Sequence, residues 1–184
     1  QEATLIKEYV KPSNSVLELG GFIGTTSCLI NDIIKNKKNH VVIEICPKYT
    51  KYLTINKEKN NKEFTIHSSK VEKIEELDKY GIKFDTLVMD IEGDEYDFIS
   101  NNIDYISKNI KTIIAEFHPR HQPKAPKQGG PQLYFWHKRH PSIKLLKKCG
   151  FKPVKNIGKD SRRGKIGSYV WQRTMKNTVV DEQG

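Results

Sequence analysis

Between residues 15 and 118 the chain alternates five short β-type runs with four stretches of helical character. The runs are SVLEL (15–19), VVIEI (41–45), FTIHSS (64–69), DTLVMDI (85–91) and IKTIIAEFH (110–118). Between the first two, Ile23 to Ile34 carries apolar residues at 23, 29, 30, 33 and 34, the spacing of one helix face. Pro47 stands where a helix can begin, with Tyr49, Tyr52, Leu53 and Ile55 after it. Val71 to Tyr80 reads as a short charged helix stopped by Gly81, and Glu95 to Lys108 as another helix. Strand-then-helix units of this length build a parallel sheet covered on both faces. After His118 the rhythm breaks, because residues 119–141 hold five Pro and two Gly. A helix from Ser142 to Lys148, ended by Cys149 and Gly150, precedes two late β runs, FKPVKNI and GSYVWQR. The expectation is one domain over residues 1–184 with a seven-stranded, mostly parallel sheet whose last strand is antiparallel. Within it, 1–118 form the body, 119–141 a basic loop or lid, and 142–184 a helix and a basic β-hairpin.

Composition excludes several classes. The longest apolar run, TIIAEF, contains a Glu, and nothing approaches the roughly 18 residues of a membrane span. Cys28, Cys46 and Cys149 form an odd, scattered set without a CxxC pair, which argues against a disulfide framework and suits a reducing, cytoplasmic setting. No signal peptide is expected, and Gln1 in place of Met suggests a cut into a longer chain. The net charge of +10 is unevenly spread. Residues 1–118 carry 16 Lys against 19 carboxylates, a balance of −3, whereas 119–184 carry 16 Lys and Arg against three, a balance of +13. Such asymmetry points to an anionic partner and says nothing about fold.

The most specific local signal is ELGGFIGTTS (18–27), placed between a strand and a helix. Gly20 and Gly21 permit a sharp turn, and Gly24 lets the helix start pack against the strand. The free N–H groups of such a turn suit a polar cofactor. Read at dinucleotide GxGxxG spacing, the positions are Leu19, Gly21 and Gly24, which do not match. Read as ExGxGxG they are Glu18, Gly20, Phe22 and Gly24, three of four for the turn that binds S-adenosylmethionine (SAM). An acidic end to the strand also suits the cationic ammonium and sulfonium of SAM. Twenty residues after Gly24, Glu44 ends the second strand, where a carboxylate can accept both ribose hydroxyls. Ile45 follows it, and Ser68 and Ser69 close the third strand, where adenine edges are commonly read.

In this order and spacing, ELGGFIGTTS, VVIEICP, LVMDIEGDEYDFI and IIAEFHP resemble the FkbM-type methyltransferases, a branch of the class I SAM-dependent enzymes. The likeness covers about residues 15–119 and is strongest in DIEGDE (90–95), which matches the family run D-[VI]-E-G-x-E. It implies a Rossmann-like three-layer sandwich, SAM as methyl donor and usually O-methylation of a hydroxyl. By position, Glu18, Gly20 and Gly24 would line the methionine end of SAM and Glu44 the ribose, with Gly21, Phe22 and Ile45 as further cofactor-binding candidates. Asp90 and Glu92 would face the reaction centre. Phe22 departs from the family's usual Asn, and Val88 stands where a Lys is common.

Ligands of an open parallel sheet bind beyond the C-terminal strand ends. Asp90 and Glu92 on the fourth strand, with Glu116 and His118 on the fifth, are therefore the candidates for chemistry. His118 is the natural base, since an unperturbed imidazole titrates near pH ~6.5, while Asp90 could orient the nucleophile or hold the cofactor's amino group. Asp90, Glu116 and His118 also carry donors that could meet a divalent cation. The spacing of the catechol-type enzymes is absent, and no resident metal is expected. Beyond His118, basic residues interleave with aromatics, and Arg120, Tyr134, Trp136, Arg162 and Arg163 are expected to hold an anionic acceptor such as a nucleotide-linked sugar or RNA. The competing reading is an RNA-directed enzyme, or a non-catalytic RNA-binding module on a methyltransferase fold.

Overall fold

The computed structural model describes residues 2–118, 136–157 and 167–174. Strands β1 (Val16–Leu19), β2 (His40–Ile43), β3 (Thr65–His67), β4 (Thr86–Met89), β5 (Thr112–Phe117), β6 (Phe151–Ile157) and β7 (Gly167–Arg173) form one sheet. Its order is β3-β2-β1-β4-β5-β7-β6. The first five strands run parallel, and β7 lies antiparallel to both β5 and β6. The expected seven strands with an inverted last strand are all present. Among the described residues no helix is long and apolar enough to cross a membrane.

The helical layers follow from side-chain alternation along the buried strands. Leu17, Leu19, Leu87, Met89, Ile113 and Phe117 point to one face. There they meet α4 (Glu95–Asn101), α5 (Ile103–Asn109) and α6 (Pro141–Lys148) through Ile99, Ile106, Ile143 and Leu146. Val16, Val88, Ile114 and Val170 point to the other face, against α1 (Glu2–Tyr9) and α2 (Thr25–Ile33). Val42 packs there with Phe64 and with Leu53 of α3 (Pro47–Lys59). In α3 it is Leu53 that is buried, so this helix rests on the sheet by a narrow contact. No helix is expected from the sequence before Lys11. In the structure Leu5, Ile6 and Val10 are wholly or almost wholly buried, and they make α1 part of the core.

Three expected elements change form. The charged helix of 71–80 is a 3₁₀ segment, Ile74–Tyr80, closed by Gly81 at φ 65°. The single helix of 95–108 breaks at Asn102, whose backbone at φ −113° ends α4 and starts α5. The second strand stops at Ile43, so Glu44 and Ile45 lie beyond its end, at the rim of the sheet.

Candidate active site

The turn after β1 is built by close approach. Gly20 and Gly24 both sit at φ 89°, in the left-handed region that glycine adopts without penalty. A β-carbon on Gly20 would stand 2.0 Å from the Asp90 carbonyl oxygen, so this glycine brings the β1 and β4 loop backbones into contact. The N–H groups of Gly20 and Gly21 donate to the Ile43 carbonyl at 2.9 and 3.1 Å, tying the turn to the end of β2. Phe22 is also left-handed, at φ 46°, and half exposed, with its ring edge-on to Tyr49 at 4.4 Å. Phe tolerates that backbone region less well than Gly or Asn, so this position carries strain in the turn.

Glu44 is held at the same place. Its Oε2 accepts the Phe22 N–H and its Oε1 accepts the Cys46 N–H, both at 2.8 Å. An ionised carboxylate has about four acceptor positions, so these two bonds orient the group and leave capacity for two further donors. Gly20, Gly21, Phe22, Glu44 and Ile45 all line a cavity of about 670 Å³ over the C-terminal ends of β1, β2 and β4. Asp90 and Glu92 form its opposite wall. The expected cofactor residues thus converge, with exceptions. Glu18 is buried under α2 with its carboxylate 2.9 Å from His40 Nε2 and does not reach the cavity. Gly24 serves the packing of α2 on Leu53, since a β-carbon there would meet Leu53 Cδ1 at 2.7 Å. Ser68 and Ser69 are exposed, and the wall next to them is formed by Lys70, Val71 and Glu72.

The loop after β4 is organised by Glu95, which is fully buried. Its Oε1 accepts the N–H groups of Ile91 and Gly93 at 3.1 and 3.2 Å, and its Oε2 accepts the His118 N–H at 3.2 Å. These bonds hold Glu92 at φ 57° and fasten the DIEGDE loop to the end of β5. His118 lies among carboxylates: Nδ1 is 3.2 Å from Glu95 and 3.7 Å from Asp90, and Nε2 is 3.4 Å from Glu116. Burial alone would lower its pKa, but bonding to Glu116 and Glu95 and the charges of Glu95 and Asp90 outweigh burial and raise it to about 10. His118 is therefore an imidazolium at neutral pH, and the expectation of a free base there is corrected. Glu116 is turned to His118 and Ser168 and does not line the cavity.

Asp90, the neighbouring carboxylate, also has its pKa raised. Burial first, then the charge of Glu116, push it up to about 6 despite the opposing pull of His118. It lines the cavity, and its Oδ1 has no hydrogen-bond partner. One donor atom each from Asp90, Glu95 and His118 lie within 4.8 Å of one another, a set able to hold a cation. It differs from the expected set by Glu95 in place of Glu116. Using it would take Glu95 Oε1 from two backbone donors and the proton from His118.

Two features escaped the sequence. Glu2 of α1 reaches the cavity, accepts the Thr26 hydroxyl at 3.3 Å, and is raised to about 7 by burial and then by Asp90 and Glu18. The spacing of Leu5, Ile6, Tyr9 and Val10 was the available sign of that helix. The cavity is also strongly acidic: Glu2, Glu44, Glu72, Asp90, Glu92, Asp94 and Asp97 face a single cation among the described lining residues, Lys70, which stands 3.9 and 4.0 Å from Glu72 and Asp94. Trp136 packs against Tyr96 and His140 at 5.3 and 5.0 Å, away from this cavity. Arg120, Tyr134, Arg162 and Arg163, expected to hold the acceptor, lie outside the described residues.

The sheet order and helical layers are those of the Rossmann-like methyltransferase fold. Fibrillarin from Methanococcus jannaschii, a pre-rRNA processing protein, has a TM-score of 0.66 at 16% identity, over 91% of this chain and 69% of its own. Fibrillarin from Aeropyrum pernix, determined with natively bound SAM, has a TM-score of 0.61 at 15% identity, over 92% and 72%. The precorrin-6y C5,15-methyltransferase of Geobacter metallireducens has a TM-score of 0.61 at 13% identity, over 94% and 86%. No family model and no curated protein matches the chain in sequence.

Proposed function

We propose that this chain is a SAM-dependent methyltransferase that transfers a methyl group to a hydroxyl oxygen of a sugar, nucleotide-linked or other anionic acceptor. The observation that carries the reading is the oriented Glu44 carboxylate beside the Gly20–Phe22 turn, at the mouth of an acidic cavity over the strand ends. The fit to SAM is chemical: two acceptor positions on Glu44 match the ribose hydroxyls, and the carboxylate-rich wall matches an ammonium and a sulfonium. Exposed Ile45 and the Phe22–Tyr49 pair supply apolar surface for a purine. The structural neighbours, one with SAM bound, support the same cofactor.

When bound, SAM supplies an electrophilic methyl group on a sulfonium. With the electrophile supplied by the cofactor, the task of this chain's own residues would be to align the acceptor hydroxyl with it, and alignment contributes most of the acceleration. Asp90, on the cavity wall, receives the hydroxyl proton on its carboxylate, and a pKa of about 6 leaves it ionised yet basic at neutral pH. His118 stays protonated and holds the Asp90 carboxylate in place. Glu92, on the same wall, orients the acceptor. The chain's own groups provide for the proton, so we expect activity to need no resident metal.

An anionic acceptor finds no free cation on the described cavity wall. Its recognition would then fall to the basic third, residues 119–184, most of which lie outside the described residues. An RNA acceptor is the second reading, favoured by the fibrillarin likeness. The DIEGDE run supports placing the chain beside the FkbM-type enzymes, and the scattered cysteines suit a cytoplasmic setting.

The test is a calorimetric SAM titration of the wild type, Glu44→Gln and Asp90→Asn. Glu44→Gln should weaken SAM about tenfold, or ~1.4 kcal/mol, with the fold unchanged by circular dichroism. Asp90→Asn should bind SAM and lose turnover, and wild-type activity should rise with pH through about 6 as Asp90 ionises. Absence of SAM binding by the folded wild type overturns the proposal. Binding without turnover on any hydroxyl acceptor favours the non-catalytic RNA module.

A further inference from the structure

From Trp136 to Ile157 the chain carries seven Lys and Arg and no carboxylate. Lys138, Arg139, Lys144, Lys147 and Lys148 are exposed and follow α6. Ile143 and Leu146 bury one side of that helix. Lys144, Lys147 and Lys148 stand at i, i+3 and i+4, neighbours about 5–6 Å apart. Lys138 joins them, since it lines one groove with Lys147. Both act on buried His137, whose pKa is lowered first by burial and then by the charges of His140, Lys147 and Lys138. At the far end Arg173 continues the strip: a β-carbon on Gly150 would stand 3.7 Å from its Cγ. Lys155 turns instead to Glu8 of α1, at 3.5 Å. Among the described residues Lys144, Lys147 and Lys148 form no ion pair. The carboxylates whose charge reaches the two ends are Asp97, at His140, and Asp104, at Cys149. The helix dipole accounts for cations in the last turn, Lys147 and Lys148. It does not account for Lys138, Arg139, Lys144 or Arg173.

The strip begins beside the large cavity. Ser142, at the start of α6, donates to the Tyr96 carbonyl at 2.7 Å, and its hydroxyl meets that of Ser100 at 2.8 Å. These bonds fasten α6 to α4, whose Asp97, Phe98 and Asn101 line the cavity. Packed helices stand about 8–10 Å apart, so one helix separates the cations from the cavity. A small anion meets two or three cations, whereas a row along a whole helix matches a polymer charged on every unit. The cavity wall is acidic, so such a polymer has to be held from outside it. RNA carries a free hydroxyl on each unit, the acceptor group of the proposed reaction. Val154 is the exposed large apolar residue of the groove, too little to anchor the face in a membrane.

We propose that the α6 strip docks the sugar–phosphate backbone of RNA while one of its nucleotides reaches the large cavity. That the polymer is RNA rests on the hydroxyl methylation proposed above, whereas the strip stands on its own geometry.

The probe is a fluorescent random-sequence RNA of about 20 nucleotides, followed by anisotropy between about 50 and 200 mM salt. Each single-strand phosphate neutralised contributes about 0.7 to the slope of log affinity on log salt. Lys144→Gln/Lys147→Gln/Lys148→Gln should therefore bind about tenfold or more weakly at low salt, with a slope smaller by about 2. Glutamine keeps the helical propensity, so circular dichroism and SAM affinity should not change. With labelled SAM the variant should show a raised KM for RNA and an unchanged kcat. Equal RNA binding by the folded variant overturns the proposal, as does binding of polyglutamate or phosphatidylserine vesicles as tight as that of RNA. Methyl transfer to RNA at an unaltered KM in the variant also overturns it. RNA binding that depends on the lysines without any methyl transfer supports the strip and counts against the methyltransferase reading alone.

Discussion

A histidine in water titrates near pH ~6.5, and on that basis His118 is the proton acceptor one would choose from the sequence. The fold encloses it with Glu95, Asp90 and Glu116 and makes it a fixed cation. The consequence for stability has a definite sign. The unfolded chain releases this proton near the ordinary value, and the native protein holds it to about 10. Between those values the native state binds more protons, so the stabilisation is complete below about pH 6.5 and is lost as pH rises through 10. The slope inside the window is at most about 1.4 kcal/mol per pH unit. Melting temperature should therefore fall between pH 7 and 10, and His118→Gln should flatten that fall. A variant with the wild-type slope would show that His118 titrates normally.

Among the elements, the 3₁₀ segment and the α4–α5 break are one device. Asn102 is 2% exposed; its Oδ1 accepts the Ile74 N–H at 2.8 Å, and its Nδ2 donates to the carbonyls of Glu72 and Phe98 at 2.9 and 2.8 Å. The residue that interrupts the helix thus starts the 3₁₀ segment and anchors the strip carrying Val71 and Glu72 on the cavity wall. Asn102→Ala strands a buried N–H and a carbonyl, so urea unfolding should report a loss of about 2–4 kcal/mol. SAM affinity should fall with it, while Asn102→Asp should retain the bond to Ile74. Helical spacing over 95–108 gave no sign of the break, because the partners of Asn102 lie about thirty positions earlier in the chain.

At the scale of the molecule, the division of charge separates two tasks. The body, at −3, presents an acidic cavity suited to a cationic cofactor, and the proposed function gives the anionic acceptor to the segment at +13. Activity on an anionic acceptor should fall as salt rises, and Arg162→Ala/Arg163→Ala should reduce that slope because fewer counterions are released. A flat salt response would identify a neutral acceptor. SAM affinity should follow the opposite division and depend on Glu44, not on the arginines.

The β-then-α rhythm, the Gly20–Gly24 turn and the placing of Glu44 and Asp90 at strand ends were determined by sequence alone. They rest on local steric rules and on hydrophobic periodicity, both readable over a few residues. The order of the strands, the burial of Glu18 on His40, the entry of Glu2 into the cavity and the charge state of His118 were decided only by tertiary structure. Each depends on groups distant along the chain meeting in a space from which water is excluded. There the cost of desolvation, set against the partners at hand, determines what a side chain can do.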